Sequence, residues 1–184
     1  PGITYYRASK SMLFSTLSSG TPPPFVVIPR IAANLALTTA ELTTLRNYVS
    51  AGGRLIVLFA STISIAIMNA VFSYSLTVGY NYYFLPLTKS SFANELPLFA
   101  TAPSSIYTGT NSFYYYRGIT LASLPNYAAN VYSDAYGVSY VWEALYGSGR
   151  LIFLGFNWGT QYSSAQSQWD NLLHRSVEAV AQAP

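Results

Sequence analysis

TTAELTTLRNYVSAGGRLIVLF, residues 38–59, decides the fold. Thr38 and Glu41 stand three apart, the spacing at which a hydroxyl and a carboxylate satisfy each other's backbone N–H at a helix start. Leu42, Leu45, Tyr48 and Val49 then recur at helical spacing. Gly52 and Gly53 supply the stop, where a left-handed residue is needed. Arg54 leads straight into Leu55, Ile56, Val57, Leu58 and Phe59, a run apolar enough to be covered on both faces. Upstream, Phe25 to Ile28 is a second such run, closed by Pro29. Strand, capped helix and strand in this order predict parallel strands joined by a right-handed crossover.

Outward from this unit, Ile3 to Tyr6 reads as a short strand and Ser11 to Leu17 as a short helix, broken by Ser18, Ser19, Gly20 and Pro22 to Pro24. Ile65 to Phe72 reads as a helix with Ile67, Met68 and Val71 inward. Residues 73–136 carry short apolar pieces among Pro86, Pro97, Pro103, Gly109, Gly118 and Pro125, an irregular insertion with a few short strands and no core of its own. Val138, Tyr140, Trp142 and Ala144 alternate in strand fashion, Gly147-Ser148-Gly149 turns, and Leu151 to Phe156 returns as the second arm of a hairpin. Trp169, Leu172, Leu173, Ser176, Val177 and Val180 mark a closing amphipathic helix, with Asp170 in its first turn. The expectation is one α/β domain over residues 1–184.

Composition narrows the function classes. Half of the 184 residues (51%) are hydrophobic and only 8% are charged, against roughly 25% in an ordinary domain. The net charge of +3 comes from scattered bases and few acids, which is no footprint for nucleic acid. Cysteine is absent and His174 is the single histidine, so thiolate chemistry is excluded and a metal cage is hard to assemble. No cofactor is expected. No apolar run reaches the roughly 18 residues of a membrane helix. Glu41, Glu95, Asp134, Glu143, Asp170 and Glu178 are too dispersed for a glycosidase or calcium signature, and Glu143 reads as a strand residue facing water. Gly-Ser-Gly at 147–149 lies between strands, so it reads as a turn and not a phosphate cradle.

The surface must then be covered by Ser, Thr, Asn, Gln and the 17 tyrosines. Tyr80, Tyr82 and Tyr83, and Tyr114, Tyr115 and Tyr116, form two clusters. A phenol ring suits half-wet contacts, and a nearly neutral surface does little to keep copies apart. These six tyrosines, with Trp142 and Trp158, are the candidate interaction residues. The composition points to an extracellular or cell-surface protein whose partners are copies of itself, with glycans as further candidates. Trp142, Trp158 and Tyr114 to Tyr116 would stack on sugar in a carbohydrate-binding module. No Asn-x-Ser/Thr sequon occurs, whereas Thr21 before Pro22 and Ser104-Ser105 after Pro103 are candidate O-glycan acceptors.

Phe25 to Pro29, the capped helix ending Tyr48-Val-Ser-Ala-Gly-Gly53, and Arg54 to Leu58 together resemble the class I glutamine amidotransferase-like superfamily. The segment Tyr146 to Trp158, followed by Trp169 and Leu172-Leu173, is similar to members embedded in secreted proteins, with Asn157 in place of the usual Asp. The resemblance implies a flavodoxin-like three-layer sandwich with a mostly parallel central sheet. It also implies a nucleophile on the turn after the Leu55–Phe59 strand. Here that turn reads Leu58-Phe-Ala-Ser-Thr62, with no cysteine and no Gly-x-Ser-x-Gly elbow, so a non-catalytic member is expected. A degenerate hydrolase would use Ser61 or Thr62 with His174 as base, although His174 reads as a surface residue. The resemblance finally implies a central strand ahead of Ile3, for which Pro1 leaves no room. Either the fold manages without it, or another segment fills the slot, or a neighbouring copy donates a strand there.

Overall fold

The computed structural model describes residues 8–30, 35–79, 86–107, 117–158 and 166–178. The Ile3–Tyr6 strand expected from the sequence lies outside them. Helix α1 (Lys10–Leu17) starts on Ser9, whose Oγ accepts the Met12 N–H at 3.2 Å. Strand β1 (Phe25–Ile28) leads to α2 (Thr39–Ser50), where the expected reciprocal cap forms. Thr38 Oγ1 accepts the Glu41 N–H at 3.2 Å, and Glu41 Oε2 accepts the Thr38 N–H at 2.7 Å. Strand β2 (Arg54–Leu58) follows, then α3 (Thr62–Phe72). The α3 carbonyls of Val71 and Ala70 are closed by the Arg46 guanidinium of α2, at 2.5 and 3.1 Å.

The described residues of the 73–136 segment carry a few short strands, as expected of it. It supplies β3 (Leu87–Lys89), β4 (Ser105–Ile106), β5 (Ile119–Thr120) and β6 (Ala129–Ser133), all in the same sheet as the rest. Short apolar pieces between prolines are enough here because each pairs with a neighbour already in place. Strands β7 (Val138–Tyr146) and β8 (Gly149–Leu154) form the expected hairpin, and α4 (Gln166–Glu178) closes the described chain.

The sheet runs β1-β2-β8-β7-β6-β3-β4. Strands β1, β2 and β8 are parallel, and the strands beyond β8 are antiparallel. Strand β5 pairs with β7 past the end of β8. The result is an α/β sandwich with a mixed central sheet. One face buries Leu55, Val57, Leu151, Phe153 and Trp142 against Leu17, Leu45, Val49, Met68 and Val71 of α1, α2 and α3. The other buries Ile56, Leu58, Ile152 and Leu154 against Trp169, Leu172 and Val177 of α4, and against Leu98 and Phe99.

Two anchors set the height of α2 on the sheet. The Tyr48 hydroxyl donates toward the carbonyls of Pro23 and Arg54, at 3.0 and 3.2 Å. At Gly149 the end of α2 comes so close that a Cβ would overlap the carbonyl oxygens of Val49 and Gly53. Backbone cannot retreat as a flexible side chain can. Gly149→Ala is therefore expected to cost at least about 2 kcal/mol in denaturant unfolding. Gly20→Ala, with open space around the new methyl, should stay within about 0.5 kcal/mol.

Candidate functional site

The carboxyl ends of parallel strands are where α/β sheets hold their chemistry. At the end of β2 the chain makes a sharp elbow. Phe59 adopts φ +65, rare for a bulky residue. Its N–H donates to the Leu154 carbonyl at 2.8 Å, and its own carbonyl accepts the Ser61 N–H at 2.8 Å. The Ser64 hydroxyl, buried, donates to the same carbonyl at 2.7 Å. Strain of this kind costs about 1–3 kcal/mol and persists only where the surroundings fix it. A strained strand-to-helix turn is the device that lifts a nucleophile clear of a sheet. Here the residue on it is phenylalanine, 5% exposed, with the Arg30 guanidinium 5.1 Å above its ring centroid.

The neighbouring hydroxyls are committed to structure. Ser61 caps α3: its Oγ accepts the Ser64 N–H at 3.0 Å and lies 2.9 Å from the Ser64 Oγ. Thr62 is the first residue of α3 and is exposed. His174 is on α4, whose Ser176 carbonyl accepts from Arg54 at the opposite end of β2, at 2.8 Å. The length of β2, about 13 Å, separates that end from the elbow. His174 is half exposed, as expected, with Nδ1 2.9 Å from Glu178. The structure does not bring Ser61 or Thr62 together with His174. Among the described residues no three His, Cys, Asp or Glu gather as a metal site would need.

The interaction candidates divide. Tyr80, Tyr82, Tyr83, Tyr114, Tyr115 and Tyr116 lie outside the described residues. Trp142 is a correction: it is wholly buried, stacked on Phe153 at 5.8 Å between centroids, and offers no ring to a partner. Its strand is packed on both faces: Trp142 lies in the cluster with α1 to α3, and the neighbouring Val141 in the cluster with α4. Trp158 is half-buried, packed edge-on against Phe156 at 4.7 Å, and its indole N–H donates to Asp170 at 2.7 Å. Asp170 thus serves Trp158 from the fifth position of the described helix instead of its first turn. Sequence reasoning missed the exposed rings of Tyr107, Tyr127 and Tyr136. For two of them the signal was an adjacent turn residue: Asn126 before Tyr127 and Gly137 after Tyr136.

Glu143 is a second correction. It does not face water but is 3% exposed, with Oε1 2.5 Å from Arg150. Arg54 lies in register beside Arg150 on the next strand. Glu143 Oε2 and Arg54 Nε are both buried without a partner. Burial pushes the Glu143 carboxyl above its ordinary value, and the guanidiniums of Arg150 and Arg54 offset only part of that. Burial and the Arg150 charge pull Arg54 down. An open cleft of about 480 Å³ lies beside this end of the sheet, between the α1 terminus, Pro22 to Pro24 and the end of α2. No acid or base lines it, and its Tyr48 hydroxyl is already spent.

Comparison with solved structures shows the fold. The chain is similar to the mmIFT52 N-terminal domain, with a TM-score of 0.60 and 12% identity over 96% of this chain and 82% of that one. It is similar to a ThuA-like protein from Bacteroides uniformis, with a TM-score of 0.58 and 13% identity over 91% of this chain and 74% of that one. It is also similar to a GMP synthase subunit from Thermoplasma acidophilum, with a TM-score of 0.52 and 12% identity over 91% of this chain and 78% of that one. These likenesses are those of a glutamine amidotransferase-like, flavodoxin-like fold. No family model and no curated protein matches the sequence.

The Glu143 cluster makes stability depend on pH. The folded carboxyl holds its proton more tightly than the unfolded chain does. Its contribution is fully present below about pH 4.5 and is lost as pH rises through the raised folded value. Denaturant midpoints measured across that range should fall with rising pH, and Glu143→Gln should flatten the slope. Glu143→Ala takes the carboxylate from Arg150, whose guanidinium is a third exposed, and is expected to lower stability in denaturant unfolding by about 1–3 kcal/mol.

Proposed function

We propose that this chain is a non-catalytic extracellular interaction domain that assembles with copies of itself, into a fibre or a surface layer, through neutral tyrosine-rich surfaces. The observation that carries the reading is the elbow. The position from which this architecture would present a nucleophile holds a buried phenyl ring under a guanidinium, and the hydroxyls beside it cap a helix. With 8% charged residues, little repulsion keeps copies apart. Tyr107, Tyr127 and Tyr136, each more than half exposed, are phenols of the kind such contacts use. The exposed hydroxyls of Thr21, Ser104 and Ser105 beside prolines are acceptors for O-linked sugars in this setting.

Contacts made by neutral rings are not screened by salt. Particle size should grow with protein concentration, and in the same way at about 0.1 M and about 1 M salt, where the Debye length falls from about 10 to 3 Å. Light scattering and negative-stain microscopy read this out. Single copies at every concentration would defeat the proposal, and association abolished by salt would defeat its neutral-contact basis.

A second reading, a carbohydrate-binding surface, is favoured by one feature. Tyr146, Phe72, Tyr74 and Tyr127 form a run of ring contacts, with centroid spacings of 4.9, 5.4 and 6.2 Å, that ends on the exposed Tyr127. A glycan array should show hits that Tyr127→Ala abolishes. An array without hits removes this reading.

A further inference from the structure

Among the described residues strand β1 pairs with β2 on one side, and its outer edge pairs with nothing. The Arg54 N–H donates to the Pro24 carbonyl, so the alternation of a strand turns Pro24, Val26 and Ile28 toward β2 and leaves Phe25 and Val27 facing out. Each of these two offers both an N–H and a carbonyl to a further strand. Their side chains fall on the α4 face of the sheet, where they are only half-buried, while Ile56 on the adjoining strand is fully covered. An unpaired ladder and an incompletely covered apolar face therefore coincide at the same two residues.

We infer that this edge pairs with the same edge of a second copy, antiparallel about a two-fold axis, so that two sheets become one. The inference rests on the self-association proposed above and adds to its tyrosine surfaces a second contact, which closes on two copies and does not by itself propagate a fibre. The edge is self-complementary. Phe25 of one copy meets Val27 of the other, and the two such pairs exchange four backbone hydrogen bonds. The same pairing lays each Phe25 ring beside a Val27 side chain on one face and covers both. Charge agrees with this direction. Pro22 to Pro29 carries no charge, and the antiparallel arrangement places the two Arg30 residues at opposite ends of the pair. The prolines at 24 and 29 confine pairing to four residues, which fixes the register. So short a seam covers far less than the roughly 800 Å² per partner of a standard interface. Association is therefore weak, and is favoured where copies are already held close.

Val27→Pro removes an outward N–H and leaves the ladder to β2 intact, a place where an edge strand tolerates proline. Val27→Lys sets charges along the same seam, and it decides the matter if the proline variant does not fold by circular dichroism. Sedimentation velocity over a concentration series, with amide hydrogen exchange, gives the readout. The wild-type chain should form a two-copy species, with exchange at Phe25 and Val27 slowed about tenfold as concentration rises. Both variants should lose that species while staying folded. Variants that associate as the wild type does overturn the edge and leave self-association standing. Protection at Phe25 and Val27 that is independent of concentration shows the chain's own residues on the edge, and also overturns it. A wild type that stays single throughout removes the inference and the self-association together.

Discussion

β2 is hydrogen-bonded along both edges and covered on both faces, and the rest of the molecule is arranged to keep it so. Leu55, Ile56 and Val57 are almost wholly excluded from water. Four apolar residues in that position need a strand on each side and a helix layer above and below. Strands β1 and β8 supply the first, in parallel register. Helices α2 and α3 supply one layer and α4 the other. The distance from α2 to the sheet is then set by Gly149, where backbone meets backbone with no room for a methyl.

The two ends of β2 are used differently. At its start, two guanidiniums and a carboxylate lie at the boundary of the core, tied to α4 by Arg54 and to β7 by Glu143. Such a cluster adds little net stability compared with an apolar filling of the same shape, but losing one member is costly. It fastens α4 and the hairpin to the same strand terminus. At its end, β2 turns through a strained residue held by three backbone and hydroxyl hydrogen bonds. The side chain at that turn is a buried phenylalanine, and the Ser61 hydroxyl beside it caps α3.

Much of the fold was legible because local signals agreed with one another. The Thr38–Glu41 cap, the Gly52-Gly53 stop and the run from Leu55 to Leu58 each fix one step of the crossover, and the structure places each accordingly. The insertion was less legible. Strands of two and three residues, such as β4 and β3, carry no periodicity of their own. Trp142 and Glu143 were misread for one reason: alternation along β7 tells which residues share a face, but not that both faces are buried. Only the layers packed above and below the sheet decide that.

The sequence by itself determined the strand–helix–strand unit, the hairpin and the closing helix. Capping, glycine stops and apolar runs act over a few residues and need nothing distant. It also determined the shortage of reactive groups, since composition does not depend on folding. Tertiary structure alone decided that Phe59 occupies the elbow, that Glu143 is buried against Arg150 with Arg54 on the strand beyond, and that His174 and Ser61 stand at opposite ends of a strand. Each of these is a relation between residues far apart in the chain. It exists only once the sheet has fixed which strand lies beside which.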